Sequence, residues 1–212
     1  MRIPNSAHDV HPWVIAEIAP DFTLLDVWAL PARGGADEFD SFLEVMASFD
    51  PANAESAVSR ALFSLRYRLG GWLGWDDVTK KRPIPGCSET TLSARLPDEL
   101  RGTALTPTIS GAMRRAGGAF TPLYRTEEEW AAELSNGTVH GVLHLAWVEQ
   151  GAGDHRAQLG VYVKPRGRLG ETYLRLIQPF RHLIVYPAVI RQVGRAWDAR
   201  GAGRPKAARR VG

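Results

Sequence analysis

The sequence has little cysteine and no long apolar run, and both shortages exclude whole classes of protein. Cys87 is the single cysteine among 212 residues, which excludes an intrachain disulfide and a zinc site built from cysteines. The densest apolar stretch, residues 183–190, is eight residues long and contains a proline, whereas a membrane helix needs about 20 residues. Residues 1–9 lack the apolar segment of a secretory signal. We therefore expect a cytoplasmic protein without a membrane span.

Sequence motifs that bind phosphates or carry nucleophiles are also missing. The glycines at 70, 71 and 74 do not have G-x-G-x-x-G spacing, and no G-x-x-x-x-G-K-[ST] loop occurs. Ser110 precedes Gly111 but has no glycine two positions before it, so the G-x-S-x-G elbow of serine hydrolases is absent. No motif therefore assigns a reaction, the catalytic residues are unknown, and we expect no cofactor.

Basic charge is concentrated at one end of the chain. The net charge is +3, and residues 200–212 hold five basic and no acidic residues, so residues 1–199 carry a net charge of −2. A segment of Gly, Ala, Pro and Arg without apolar anchors is typical of a disordered tail that contacts phosphates only non-specifically. We predict one domain over residues 1–199, a basic disordered tail over residues 200–212, and no specific nucleic-acid partner.

Patterns in the first half of the chain predict one strand and two helices. A β-branched run predicts a strand over residues 13–18, followed by a less regular segment over residues 22–30. Apolar residues at spacings of three and four predict helices near residues 37–48 and 53–72. Four prolines within residues 75–118 leave room only for short strands or helical turns.

The second half carries the clearest strand pattern. A strand is predicted over residues 119–124, and Thr126 with Glu129 fits a capping box that would begin a short helix. Residues 138–149 and 155–164 then form a predicted β-hairpin, because apolar and polar residues alternate in its second arm.

The last predicted element is a long amphipathic helix. Apolar residues recur at spacings of three and four from residue 169 to residue 197, which corresponds to a helix about 40 Å long. Pro179 and Pro187 lie inside it, so we expect two kinks. A second apolar line on the opposite side consists of Val185, Val189 and Val193. The predicted core-facing stripe consists of Leu169, Tyr173, Leu176, Phe180, Leu183, Pro187, Ile190, Gly194 and Trp197.

Strands and helices are segregated along the chain, which indicates an α+β fold. We expect a curved antiparallel sheet wrapped around the long kinked C-terminal helix. Such an arrangement leaves a gap between sheet and helix, and a gap lined by aromatic residues is a candidate ligand pocket.

Three segments resemble an uncharacterised bacterial domain-of-unknown-function family. They are the start RIPN at residues 2–5, the strand TVHGVLHLAW at residues 138–147, and the helix YLRLIQPFRHLIVYP at residues 173–187. The resemblance covers about residues 1–199 and implies the START-like (SRPBCC) helix-grip superfamily, which includes carriers of lipids, polyketides and aromatic molecules. Relatives of this domain also occur fused to dinucleotide-binding oxidoreductase domains. The sequence predicts about four strands, whereas the superfamily fold has six or seven.

The candidate ligand-binding residues are aromatic or ionisable side chains on the predicted sheet and helix. They include His144, whose neighbour His140 lies four residues away on the same strand, about 13 Å along it, so the two cannot share one metal ion. Alternation places both histidines opposite Leu143, either as structural residues on an outer face or with a pocket or interface role. His182 is expected to be exposed or at a subunit contact. The full set of ligand-binding candidates is Trp147, Tyr162, Tyr173, Phe180, Arg181 and His144, with no metal ligand.

Three functional hypotheses follow from this architecture. The first is binding of a small hydrophobic ligand, such as a lipid, polyketide or aromatic molecule, between sheet and helix. The second is a cyclase-, dehydratase- or hydrolase-like enzyme on the same fold, with an enclosed ionisable group as acid or base. The third is a module that binds an oxidoreductase partner, or a second copy in a homodimer, through the Val185, Val189 and Val193 line.

Overall fold

A six-stranded antiparallel sheet forms the centre of the protein. The computed structural model describes residues 1–48, 82–104 and 120–202. The spatial order of the strands is β1-β2-β6-β5-β4-β3, and every neighbouring pair is antiparallel. The strands are β1 (Arg2–Ile3), β2 (Thr23–Gly34), β3 (Thr121–Arg125), β4 (Glu129–Ser135), β5 (Val139–Gly151) and β6 (Asp154–Pro165).

Helices lie before, between and after these strands. A π-helical segment, Arg181–Val185, joins the last two α-helices into one continuous helix. The α-helices are α1 (Asn5–Asp9), α2 (Val14–Ile18), α3 (Phe39–Ala47), α4 (Gly167–Phe180) and α5 (Tyr186–Ala202), and the 3₁₀ turns are Ala36–Glu38, Leu92–Arg95 and Asp98–Leu100.

The predicted hairpin is confirmed as β5 and β6, and the predicted helix near residues 37–48 is confirmed as α3 with its preceding 3₁₀ turn. The turn between β5 and β6 places Gly151, Ala152 and Gly153 at positive φ, a region that glycine enters without steric cost. The strand predicted over residues 119–124 is confirmed as β3. The α+β class and the long C-terminal helix are confirmed as well, with six strands where the sequence predicts about four.

The helix predicted after Thr126 is wrong, because this segment turns a hairpin into β4. The Thr126 hydroxyl does accept a hydrogen bond from the backbone N–H of Glu129, at 3.1 Å, as a capping box requires. The Thr126 N–H, however, donates to the backbone carbonyl of Glu129 at 2.8 Å and so closes the turn between β3 and β4. The carboxylate of Glu129 is therefore free to reach into the interior.

Two predictions near the N-terminus are also wrong. Residues 13–18 form helix α2 rather than a strand, and the less regular segment 22–30 is part of β2, a strand of 12 residues. The buried residues of α2, Ile15 and Ile18, are three positions apart and share one helical face. Burial of that face against the sheet overrides the β-propensity of the run.

Both faces of the sheet are covered. On one face, called here the helix face, Leu145 and Trp147 of β5 pack with residues of α3 and α5. On the opposite face, called here the N-terminal face, Val142 and Ala146 pack with residues of the segment from Trp13 to Phe22 and with Ile84 and Leu92. Alternation along β5 thus supplies two separate cores, and His140 and His144 are fully buried rather than on an outer face.

The long helix is rotated relative to the predicted stripe. Leu169, Leu176 and Leu183 are 77%, 71% and 75% exposed. The buried residues are Gly170 in α4 and Tyr186 and Val193 in α5. A π-helical turn contains one extra residue, so a face that follows three-and-four spacing before residue 181 does not continue on the same side after residue 185.

The predicted helix over residues 53–72 and much of the proline-rich stretch over residues 75–118 lie outside the described residues. The described part of that stretch, residues 82–104, contains only the two 3₁₀ turns, as its prolines predict. Within the described ranges, no helix is both long and apolar enough to span a bilayer.

Candidate functional site

An apolar groove lies between the sheet and α4, on the helix face. Its floor includes Leu143 of β5 and Val161 and Val163 of β6, and its roof includes Tyr173 and Ile177 of α4. The cavity volume is about 140 Å³. For comparison, an engineered apolar cavity of about 150 Å³ binds benzene. The groove therefore has room for one ring or a short chain.

Two glycines shape this groove. A Cβ on Gly170 would lie 2.2 Å from the backbone oxygen of Thr138, so the start of α4 touches the start of β5 directly. Gly141 lines the floor without a side chain, which leaves space beneath the helix. Arg166 holds the same end together, because its Nε donates to the backbone oxygen of Asn136 at 2.8 Å and its Nη2 to Ser135 Oγ at 2.8 Å.

Polar groups border the groove at Asn136 and Arg181. The Asn136 Oδ1 accepts hydrogen bonds from the N–H and hydroxyl of Thr138 and from the N–H of Val139, at 2.9 to 3.0 Å. This leaves the Nδ2 of Asn136 as the donor of that side chain. The polar groups that border the groove are therefore chiefly hydrogen-bond donors.

Arg181 belongs to a cluster around a buried carboxylate, Asp26, whose side chain is 3% exposed. Asp26 Oδ2 accepts hydrogen bonds from Arg181 Nη2 and from the Tyr186 hydroxyl, the latter at 3.2 Å. Oδ1 accepts from His182 Nε2 at 2.8 Å, and Arg2 Nη2 lies 3.5 Å away. Burial, together with the neighbouring Asp26, raises the pKa of Tyr186 to about 12, although Arg181 acts in the opposite direction.

A β-bulge explains why Asp26 points at the helix. Leu24 pairs with Tyr162 and Asp26 pairs with the adjacent Val161, so Leu25 is an extra residue in β2. Both Leu25 and Asp26 consequently lie on the helix face, where Leu25 lines the groove. Bulges re-aim side chains in this way. The expectation that His182 is exposed is wrong, because its ring is bound to this carboxylate and is 22% exposed.

A second polar cluster is buried on the N-terminal face. His144 Nε2 lies 2.9 Å from Glu129 Oε2, and His144 Nδ1 lies 3.2 Å from His8 Nε2. His8 Nδ1 lies 3.0 Å from Gln158 Oε1. These contacts form one continuous chain from Gln158 through His8 and His144 to the Glu129 carboxylate, which accepts from His144 Nε2.

The groups around Glu129 stabilise its ionised carboxylate. Burial raises the pKa of this carboxyl, but hydrogen bonds from His144, the Val14 N–H and the Tyr124 hydroxyl outweigh burial and lower it overall. Burial and the Glu129 charge raise the pKa of Tyr124. Burial, followed by the neighbouring His144, lowers the pKa of His8 to about 4, so His8 is neutral near pH 7.

His140 and Glu133 form a second histidine–glutamate pair on the same two strands, β5 and β4. Each of the two residues is four positions from its counterpart in the first pair. His140 Nε2 lies 2.9 Å from Glu133 Oε2, which also accepts from the Leu92 N–H at 2.9 Å. Thr91 donates its hydroxyl to Glu133 Oε1. Each histidine thus binds its own glutamate, and within residues 1–48, 82–104 and 120–202 no three such side chains converge as metal ligands.

A family model described as "Protein of unknown function (DUF2867)" matches residues 18–188. The chain belongs to the DUF2867 family. No curated protein and no solved structure matches the chain. The matched range contains the groove and its roof helix, whereas His8, which closes the buried histidine chain, precedes it.

In this DUF2867 protein the six predicted ligand-binding residues fall into different places. Tyr173 and Arg181 line the groove, and Phe180 lies half-buried at the end of α4. His144 and Tyr162 are buried on the N-terminal face, with ring centroids 6.1 Å apart. Trp147 packs against Phe42 and donates its indole N–H to the backbone oxygen of Gly35 at 2.9 Å, so it is a core residue rather than part of the groove lining.

Sequence reasoning missed the acidic partners Asp26, Glu129 and Glu133. A signal for the glutamates was present, since Glu129 and Glu133 are four residues apart on β4, as His140 and His144 are on β5. The prediction of a short helix after Thr126 concealed this match. Asp26 interrupts the apolar stretch 22–30, and a single acid in such a stretch indicates a buried partner.

Proposed function

We propose that this protein binds a small hydrophobic molecule, about the size of one aromatic ring, in the groove between the sheet and α4. The observation that supports the proposal is the groove itself, which combines a cavity of about 140 Å³ with an almost wholly apolar floor and roof. Apolar cavities of this size favour apolar guests because the guest leaves water without costing the protein a hydrogen bond. A START-like helix-grip fold would account for the same geometry.

An enzyme is the weaker alternative. Two of the groups with displaced pKa values, His8 and Tyr124, lie on the N-terminal face, on the other side of the sheet from the groove. A third, Tyr186, lies on the helix face, but it is buried and its hydroxyl is hydrogen-bonded to Asp26 and Arg181. His8 and Tyr124 are both fully buried. A ligand in the groove would therefore not meet them.

The partner-binding alternative has a smaller surface than the sequence suggests. Val193 is fully buried, and Val189 is partly exposed but packs against the same core on the helix face. An oxidoreductase or a second copy that used this line would contact only the exposed parts of Val185 and Val189.

The proposal is tested with fluorobenzene as the probe, observed by ¹⁹F NMR. We expect saturable binding to the wild-type protein and a loss of at least about tenfold in affinity for Ile177→Trp, which places an indole in the groove. Leu176→Trp is the matched control, because the neighbouring side chain on the same helix is 71% exposed, and it should bind as wild type does. Equal binding by both variants, or none by wild type, would contradict the proposal.

A further inference from the structure

We infer that the groove ligand carries a carboxylate, which binds Arg181, so that the ligand class is small aromatic or short-chain monocarboxylic acids. This inference rests on the proposed function and adds the chemistry of the polar end. It depends on the position of Arg181, the charge around it and the hydrogen-bonding capacity left on its guanidinium.

Arg181 stands at one end of an apolar groove. Tyr173, Ile177 and Arg181 are four residues apart and line the groove from the same helical face. Eight residues at 1.5 Å each place Tyr173 and Arg181 about 12 Å apart along the helix. An aromatic ring under Ile177 would therefore have a cation within reach of a short substituent.

Hydrogen bonds to Asp26 and Tyr186 fix the Arg181 guanidinium through one nitrogen, Nη2. The Arg181 Nη2 donates to Asp26 and, at 2.5 Å, to the Tyr186 hydroxyl. Among the described residues, no hydrogen-bond acceptor engages Nη1 or Nε. Asp26 and Tyr186 thus orient the guanidinium in advance, and Nη1 can donate a charge-assisted hydrogen bond to one carboxylate oxygen.

The local charge also favours an anion. Arg2 and Arg181 both lie against the one carboxylate of Asp26, and the side chain of Arg181 is 14% exposed whereas that of Arg2 is 52% exposed. Among the described residues, no acidic side chain lines the groove, and Asn136 adds a donor rather than an acceptor. A carboxylate in the groove would therefore face Arg181 without a like-charged lining residue to repel it.

The test compares phenylacetate with phenylacetamide, which has nearly the same shape and no charge, by displacement of fluorobenzene at pH 7.5. We expect the wild-type protein to bind phenylacetate about 10- to 100-fold more tightly, as hydrogen bonds to a charged group predict. Arg181→Met should abolish this preference while fluorobenzene still binds. Arg175→Met, whose side chain is 79% exposed on the same helix, should retain it.

The outcomes separate this inference from the proposed function. Equal affinity of wild type for the two compounds, or tighter binding of the amide, would overturn the carboxylate inference and leave the groove proposal standing. If neither phenylacetate nor phenylacetamide binds while fluorobenzene does, the carboxylate inference is also overturned. Failure of all three probes would refute the proposed function itself. The wild-type comparison needs no variant, so it decides the question even when Arg181→Met fails to fold.

Discussion

The buried histidine His8 makes a quantitative prediction about pH. Burial and the neighbouring His144 lower its pKa to about 4 in the folded protein, against an ordinary value of 6.5. Between these two values the unfolded chain binds a proton that the folded protein does not, so the free energy of unfolding falls as the pH falls. The slope approaches about 1.4 kcal/mol per pH unit, and the total loss by pH 4 is about 3 kcal/mol.

Chemical unfolding followed by tryptophan fluorescence, at pH 7.5, 6.5, 5.5 and 4.5, measures this loss. The His8→Gln variant removes the titrating ring, and we expect it to be about 1 to 2 kcal/mol less stable at pH 7.5 because hydrogen bonds to Gln158 and His144 change. Its stability should nevertheless fall less steeply than that of wild type between pH 6.5 and 4.5. Glu129 contributes at lower pH, because its lowered pKa makes its stabilising charge disappear only below about 4.5.

His11→Gln is the matched control for this experiment. His11 stacks on Trp13, as His8 packs against the same ring, but it is only partly buried and does not belong to the hydrogen-bonded chain. We expect His11→Gln to keep the steep wild-type dependence. Parallel loss of stability in wild type and His8→Gln between pH 6.5 and 4.5 would refute the reasoning.

Two further substitutions test the packing of the groove and the buried glutamate. Gly170→Ala should destabilise the protein by about 1 to 3 kcal/mol in urea unfolding, because its Cβ would meet the backbone oxygen of Thr138 at 2.2 Å, whereas Gly201→Ala, with nothing within 4 Å, should be neutral or stabilising. A harmless Gly170→Ala would contradict the close contact of α4 with β5. Glu129→Gln should lower the free energy of unfolding by about 3 kcal/mol in thermal or urea unfolding, because it leaves His144 without its carboxylate partner. Glu128→Gln, at the exposed neighbouring position, should lower it by less than about 0.5 kcal/mol. Equal losses of stability in the two variants would show that the buried Glu129 carboxylate is unimportant.

Local patterns in the sequence predict those elements whose partners are close in the chain. The hairpin of β5 and β6 is an example, because alternation and a glycine turn define it within residues 138–165. The buried face of the long C-terminal helix is harder to predict from the sequence. The three-and-four spacing continues through a π-helical segment, and that segment rotates the buried face. Leu176 therefore appeared to face the core and is exposed.

The polar interior could not be predicted because distant contacts create it. Asp26 faces the helix only because of the bulge at Leu25, and its partner Arg181 lies 155 residues away in the sequence. Glu129 forms half of a capping box in its local sequence, but pairing with β5 places its carboxylate against His144. In both cases a non-local contact decides between two locally acceptable structures.

We expect an apolar guest to occupy the space between the sheet and α4. Intermolecular NOEs between bound toluene and the methyl groups of the labelled protein locate such a guest. We expect NOEs to Val161, Val163 and Ile177, whose side chains line the groove. NOEs confined to the exposed side chains of Leu176 and Leu183, with none to the groove, would contradict it.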